Sequence, residues 1–81
     1  MKVNLLLFAS IREAVGTGSI ALDIPEGETV EGLIAALAER YPAVSEHLPN
    51  VKVAVNRDLA RSDTVLRAGD EVALLPPVGG G

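Results

Sequence analysis

Cysteine and tryptophan are absent from this 81-residue chain, and histidine, tyrosine and phenylalanine occur once each, as His47, Tyr41 and Phe8. Without cysteine there is no disulfide scaffold, no thiolate metal site and no thiol nucleophile. One histidine excludes a multi-histidine metal centre, so His47 reads as a surface or loop residue and no metal is expected. A basic surface is missing as well: seven Lys and Arg stand against eleven Asp and Glu, for a net charge of −4. Nucleic-acid affinity rests on neutralising phosphates, so no nucleic-acid partner is expected. Long apolar runs are also lacking. Leu5 to Ala9 is interrupted at once by Ser10, Arg12 and Glu13, which is too short for an export signal or a membrane span. The expected compartment is the cytoplasm, with no membrane partner.

What is present is aliphatic. Apolar residues make up 48% of the chain, so the core must be built from Val, Leu, Ile and Ala. The length fits one domain, which buries somewhat over ~60% of its unfolded surface. Val3 to Ala9 has the continuous apolar character of a buried strand. Ser10 and Glu13 have the spacing of a capping box, with Gly16 placed to close a short helix over Ile11 to Val15. Ile20, Leu22 and Ile24 alternate with Ala21 and Asp23, the period of a half-buried strand. Thr29 is an N-cap for a helix whose apolar stripe is Val30, Leu33, Ile34, Leu37 and Ala38. Pro42 stops that helix at Tyr41.

Beyond it, Ala43 to Asn50 reads as irregular, anchored by Leu48. Val51, Val53 and Val55 form a third strand, and Asn56 to Asp58 a turn. Leu59 to Arg67 is a connection with Leu59, Val65 and Leu66 as apolar pegs. Glu71 to Leu75 is a further strand, ended by Pro76 and Pro77, neither of which can donate to a ladder. Asp70 reads as a turn former at Gly69-Asp70. It cannot share a substrate with Glu71, because adjacent strand residues face opposite sides. One main helix among four to five strands implies a two-layer α+β domain, a β-grasp or ubiquitin-like roll with a mixed sheet. Residues 1–77 would form this body and 78–81 a flexible glycine-rich tail.

Charge is unevenly spread. Glu13 to Glu46 holds seven acids and one base, whereas Lys52 to Arg67 holds four bases and two acids. This is read either as a solvated surface or as a face that meets a protein partner partly through charge. The C-terminus, Pro76-Pro77-Val78-Gly79-Gly80-Gly81, is the most unusual local feature. Glycines have the greatest backbone freedom, so the end is either a frayed terminus or a bare carboxylate on a proline stalk, thin enough to thread a partner's channel. In the second case the chain is a substrate, and the partner supplies the nucleophilic chemistry this sequence lacks.

Several segments carry a resemblance across the whole chain. They are Phe8-Ala9 with Arg12-Glu13 and Gly16, Ala54-Val55-Asn56 with Leu59, Leu66 to Ala73, and the Pro-Pro-Val-Gly-Gly-Gly end. Together they resemble the MoaD family, the small sulfur-carrier subunits of molybdopterin synthase. Two positions depart from the family's habit: Gly79 where Ala is frequent, and Leu74-Leu75 where aromatics are frequent. The resemblance implies that a MoeB-type enzyme adenylates the Gly81 carboxylate with MgATP and that a sulfur donor converts it to a thiocarboxylate. The tail, Pro76 to Gly81, would then enter a MoaE-type large subunit, in a heterotetramer, and give sulfur to a pterin precursor. The chain itself would bind no cofactor and would not be catalytic alone. Phe8, Arg12, Leu59 and Leu75 would meet the partner. From composition alone, Phe8 reads instead as core and Arg12 as a helix-surface charge. Three other readings stay open: a ThiS-like carrier for thiamine thiazole, a ubiquitin-like protein modifier, and an interaction domain with an idle tail.

Overall fold

The computed structural model describes residues 1–77. The elements are β1 (Lys2–Leu7), α1 (Ala9–Val15), β2 (Ser19–Asp23), α2 (Val30–Arg40), a 3₁₀ segment (Pro42–His47), β3 (Lys52–Val55), β4 (Asp58–Leu59) and β5 (Glu71–Leu75). The strands form one sheet in the order β2-β1-β5-β3-β4. β1 and β5, the first and last, lie parallel at its centre, and the other pairs are antiparallel. This is the expected β-grasp arrangement, with α2 covering one face.

Register explains which face each residue takes. Leu5 pairs with Val72 and Leu7 with Leu74, and Val53 also pairs with Leu74. All five are buried, together with Val30, Leu33 and Leu37 of α2. The period of two in the strands and the period of 3.6 in the helix thus supply the two halves of one aliphatic core. Truncating any one of its leucines to alanine costs about 2–5 kcal/mol by loss of transfer energy and creation of a cavity.

α2 begins as the sequence predicts. The Thr29 hydroxyl accepts from the Gly32 N–H at 3.3 Å, and Tyr41 follows the last helical turn. Two further N-terminal donors are satisfied from outside the helix: Val30 N–H donates to the Thr64 carbonyl and Glu31 N–H to that of Ser62. The connection after β4 is thereby tied to the helix start.

Four local expectations are corrected. Ser10 does not cap α1. The helix begins two residues earlier than expected, at Ala9 (φ 48°), and the backbone carbonyl of Phe8 accepts from Ile11 and Arg12; Glu13 therefore has no capping role. Gly16 does close α1, in the left-handed region at φ 93°, donating to the Arg12 carbonyl. The segment after α2 is not irregular but a 3₁₀ turn anchored by the fully buried Val44, with Leu48 only half-buried. Finally, Leu59 forms part of the short strand β4, and only Leu66 of the three expected pegs is buried; Leu59 and Val65 are exposed.

The turn before β5 is held by side chains. Asp70 accepts from the Arg67 N–H at 2.8 Å and from Asn56 Nδ2 at 2.9 Å, and Asn56 Oδ1 accepts from the Glu71 N–H at 3.0 Å. This fixes the β3–β4 hairpin to the entry of β5. It bears out the turn-forming reading of Asp70.

Candidate functional site: the open sheet face at the tail exit

One face of the sheet packs on α2; among the described residues no layer covers the other. Strand alternation and register place Leu6, Ala73, Ala54 and Leu59 in one row across this open face, since Leu6 pairs with Ala73, Ala73 with Ala54 and Ala54 with Leu59. The next row toward the end of β5 begins with Phe8 and Leu75. Leu7 pairs with Leu74, and Phe8 stays extended, at φ −127° and ψ 158°, so it falls beside Leu75 at the ~4.8 Å spacing of neighbouring strands.

Phe8 is 43% exposed and Leu59 76% exposed, while Leu75 is half-buried. Phe8 is therefore not a core residue. An exposed apolar face of this kind marks an interaction surface. The structure thus brings Phe8 and Leu75 together, and it sets Leu59 on the same face two strands away. Leu6, Ala54 and Ala73 complete the strip and were not singled out in the sequence. Their signal was available: each is apolar at a position that alternates away from the core-facing residues of its strand. Lys52, paired with Leu75, supplies a cation at the rim. Val65 is 58% exposed but bridges to Thr29, away from this strip.

Arg12 projects from α1 and is exposed. Its guanidinium lies against Gly18, where an added Cβ would meet Arg12 Cζ and Nε at 3.4 Å. Among the described residues it forms no ion pair, so its charge is available at the β1 exit. The chain leaves β5 through Pro76, which is buried, and Pro77, which is exposed. A buried Pro76 fixes where the remaining chain departs, immediately beyond Leu75 and next to Phe8. Val78, Gly79, Gly80 and Gly81, and the flexibility expected of them, lie outside the described residues. Among the described residues no group of three or more His, Cys, Asp or Glu could hold a metal ion, and no helix is long and apolar enough to cross a membrane.

Together these features define a β-grasp protein whose last strand delivers its C-terminal segment at the edge of an exposed apolar face. The ThiS family model matches residues 5–81, and the chain belongs to this family. The molybdopterin synthase sulfur carrier subunit of Mycobacterium tuberculosis is 40% identical, over 100% of this chain and 99% of the relative. The crystal structure of SAMP1 from Haloferax volcanii superposes with a TM-score of 0.88 at 30% identity, over 100% of both chains. A chain in the protein–protein complex of subunits 1 and 2 of the molybdopterin-converting factor from Helicobacter pylori gives a TM-score of 0.71 at 27% identity, again over 100% of both chains. The resemblance to MoaD-type carriers drawn from the sequence is therefore borne out, as is the fold.

Proposed function

We propose that this protein is the sulfur-carrier subunit for molybdopterin synthesis and that Gly81 is its reactive residue. The observation that carries the reading is the exit geometry. The strand leading to Gly81 ends at Leu75 and the buried Pro76, flush with the exposed Phe8–Leu75 end of an uncovered sheet face. The full-length similarity to a molybdopterin synthase sulfur carrier subunit supports the pathway. The H. pylori complex of subunits 1 and 2 supports a large-subunit partner of the MoaE type.

In this reading the Gly81 carboxylate attacks the α-phosphorus of MgATP on a MoeB-type enzyme, releasing pyrophosphate. The terminal sulfur of a persulfide-type donor then attacks the acyl carbon and displaces AMP, giving an acyl disulfide. A second thiol attacks the donor's sulfur, breaking the S–S bond, so that a thiocarboxylate leaves and the two thiol sulfurs end as a disulfide. The chain's own residues supply docking and reach. Phe8, Leu59 and Leu75 bury apolar surface against each partner in turn, Arg12 adds a charge contact, and Pro76 and Pro77 aim the tail. Val78 to Gly81 span at most ~14 Å when extended, and Gly79, Gly80 and Gly81 lack side chains that would obstruct a narrow channel. MgATP belongs to the activating enzyme and the pterin to the large subunit, so the chain needs no cofactor of its own. Two carriers on a large-subunit dimer would form a heterotetramer, in the cytoplasm where ATP is available.

Incubation with MgATP, the activating enzyme and a sulfur donor should shift the intact mass by one oxygen exchanged for sulfur. The shift should be confined to the C-terminal peptide and absent after deletion of Gly81. An unchanged mass in the full chain would reject the proposal.

The similarity to SAMP1, a protein whose relative is named small archaeal modifier protein 1, favours a second use of the same terminus. Attack on the Gly81 acyl-adenylate by a lysine amine would form an amide conjugate and release AMP. Higher-mass conjugates that vanish on Gly81 deletion would establish it.

A further inference from the structure

Charge on the open face is sorted by row. The row through Leu6 joins Ser19, Ala73, Ala54 and Leu59 and holds no charged residue. The row at the tail exit contains Lys52, which pairs with Leu75 and is exposed. Acids of this face stand toward its far end, with Glu71 opposite Asn4 and Asp23 opposite Lys2. Along β5, Glu71 is separated from Leu75 by about 13 Å at the usual strand rise. That exceeds the ~8 Å over which exposed charges act on one another in physiological salt. Arg61, in the connection after β4, is paired with Asp63 at 3.6 Å and adds no net charge. Lys52 forms no ion pair among the described residues. It is an uncompensated cation at the margin of an apolar strip, on a chain of net charge −4.

We propose that Lys52 is a specificity-determining contact of this face, and that it fits a partner presenting a carboxylate at the rim of an apolar surface, beside the opening that takes the tail. The proposal rests on the sulfur-carrier reading and takes the MoaE-type large subunit as that partner. An apolar surface that covers Phe8 and Leu75 also strips water from the neighbouring strand position, where Lys52 stands. An ammonium left there without a counter-charge is penalised by desolvation. A carboxylate at that point removes the penalty, whereas a cation or a purely apolar rim does not. The residue therefore discriminates among partners that cover the same apolar strip equally well. At longer range the carrier's net negative charge repels an acidic partner, and an uncompensated cation beside the exit turns that partner toward the correct end of the sheet. Lys52 thus acts on the rate of encounter as well as on the lifetime of the complex.

The test follows binding of the unloaded full chain to the large subunit by stopped flow, at about 0.02 and about 0.5 M salt. Lys52→Glu should lower the association rate constant about tenfold at low salt and flatten its salt dependence. Arg67→Glu makes the same change in net charge at an exposed position in the turn before β5, at the far end of the sheet. It should stay within about twofold of the unsubstituted chain. Carbodiimide treatment of the complex then joins amines to carboxylates in contact, the carbodiimide taking up the water lost. Peptide masses should show Lys52 Nζ linked to an Asp or Glu of the large subunit, and Lys2, the other lysine of the chain, not linked to it. An association rate for Lys52→Glu no lower than that for Arg67→Glu would overturn the proposal. So would a Lys52 link absent, or made only to an acid of the carrier itself or of a second copy. Either result with normal binding of the unsubstituted chain leaves the sulfur-carrier reading standing; no binding of that chain at all overturns the proposal together with its large-subunit partner.

Discussion

Phe8 and Leu59 illustrate how one residue type takes opposite roles in this chain. Both are large and apolar, yet they stand 43% and 76% exposed, while Leu5, Leu7 and Leu74 a few residues away are fully covered. The difference is one of strand parity, not of hydrophobicity. Leu59→Asp should therefore leave stability within about 0.5 kcal/mol, as at most exposed sites. It should weaken the complex with a large-subunit partner by about 2 kcal/mol, roughly thirtyfold. Thermal unfolding and titration calorimetry measure the two effects separately. Arg57 poses a different question. Asn56 and Arg57 have φ of 50° and 74°, the signs of a type I′ hairpin turn, in which the second position favours glycine. Arg57→Gly should stabilise the fold by up to about 1 kcal/mol by relieving a left-handed side-chain clash, read from the urea midpoint at an unchanged slope.

At the scale of elements, the periodic segments were the legible ones. The stripe of α2, its Thr29 cap and its stop at Pro42 were all readable, because each rests on a local rule. Replacing Thr29 by alanine should cost about 1 kcal/mol, a fall in melting temperature of about 4–8 °C for a domain of this size. What escaped the sequence depended on long-range pairing. β4 has only two residues, too few to show a period, and is defined by its partner Ala54. Leu59, Val65 and Leu66 lie in one irregular connection. Which of them is buried is decided by the bridge from Thr29 to Val65 and by the Leu66 N–H donating to the Glu28 carbonyl. The start of α1 moved to Ala9 because the Phe8 carbonyl, at the end of an extended strand, was already placed to accept the first helical bonds. Val44 was overlooked because a 3₁₀ turn has no apolar stripe to read.

For the whole molecule, the shortage of reactive side chains acquires a meaning once the topology is known. Parallel pairing of the first and last strands puts the end of β5 and the buried Pro76 beside Phe8, at the edge of the open face. The candidate site was half legible: Phe8, Leu59, Leu75 and the prolines came from motif resemblance. Leu6, Ala54 and Ala73 required the register that joins three strands. The central claim is that Gly81 carries the sulfur that the partner transfers. It is tested most directly by a single-turnover reaction of purified, ³⁵S-thiocarboxylated chain with a large subunit and a cyclic pyranopterin precursor, followed by mass measurement of the carrier and scintillation counting of the product. The account predicts that label leaves Gly81 and appears in the pterin, with carrier returned as the carboxylate. Retention of the label on Gly81 while the pterin gains sulfur, or no transfer at all from the loaded chain, would contradict it.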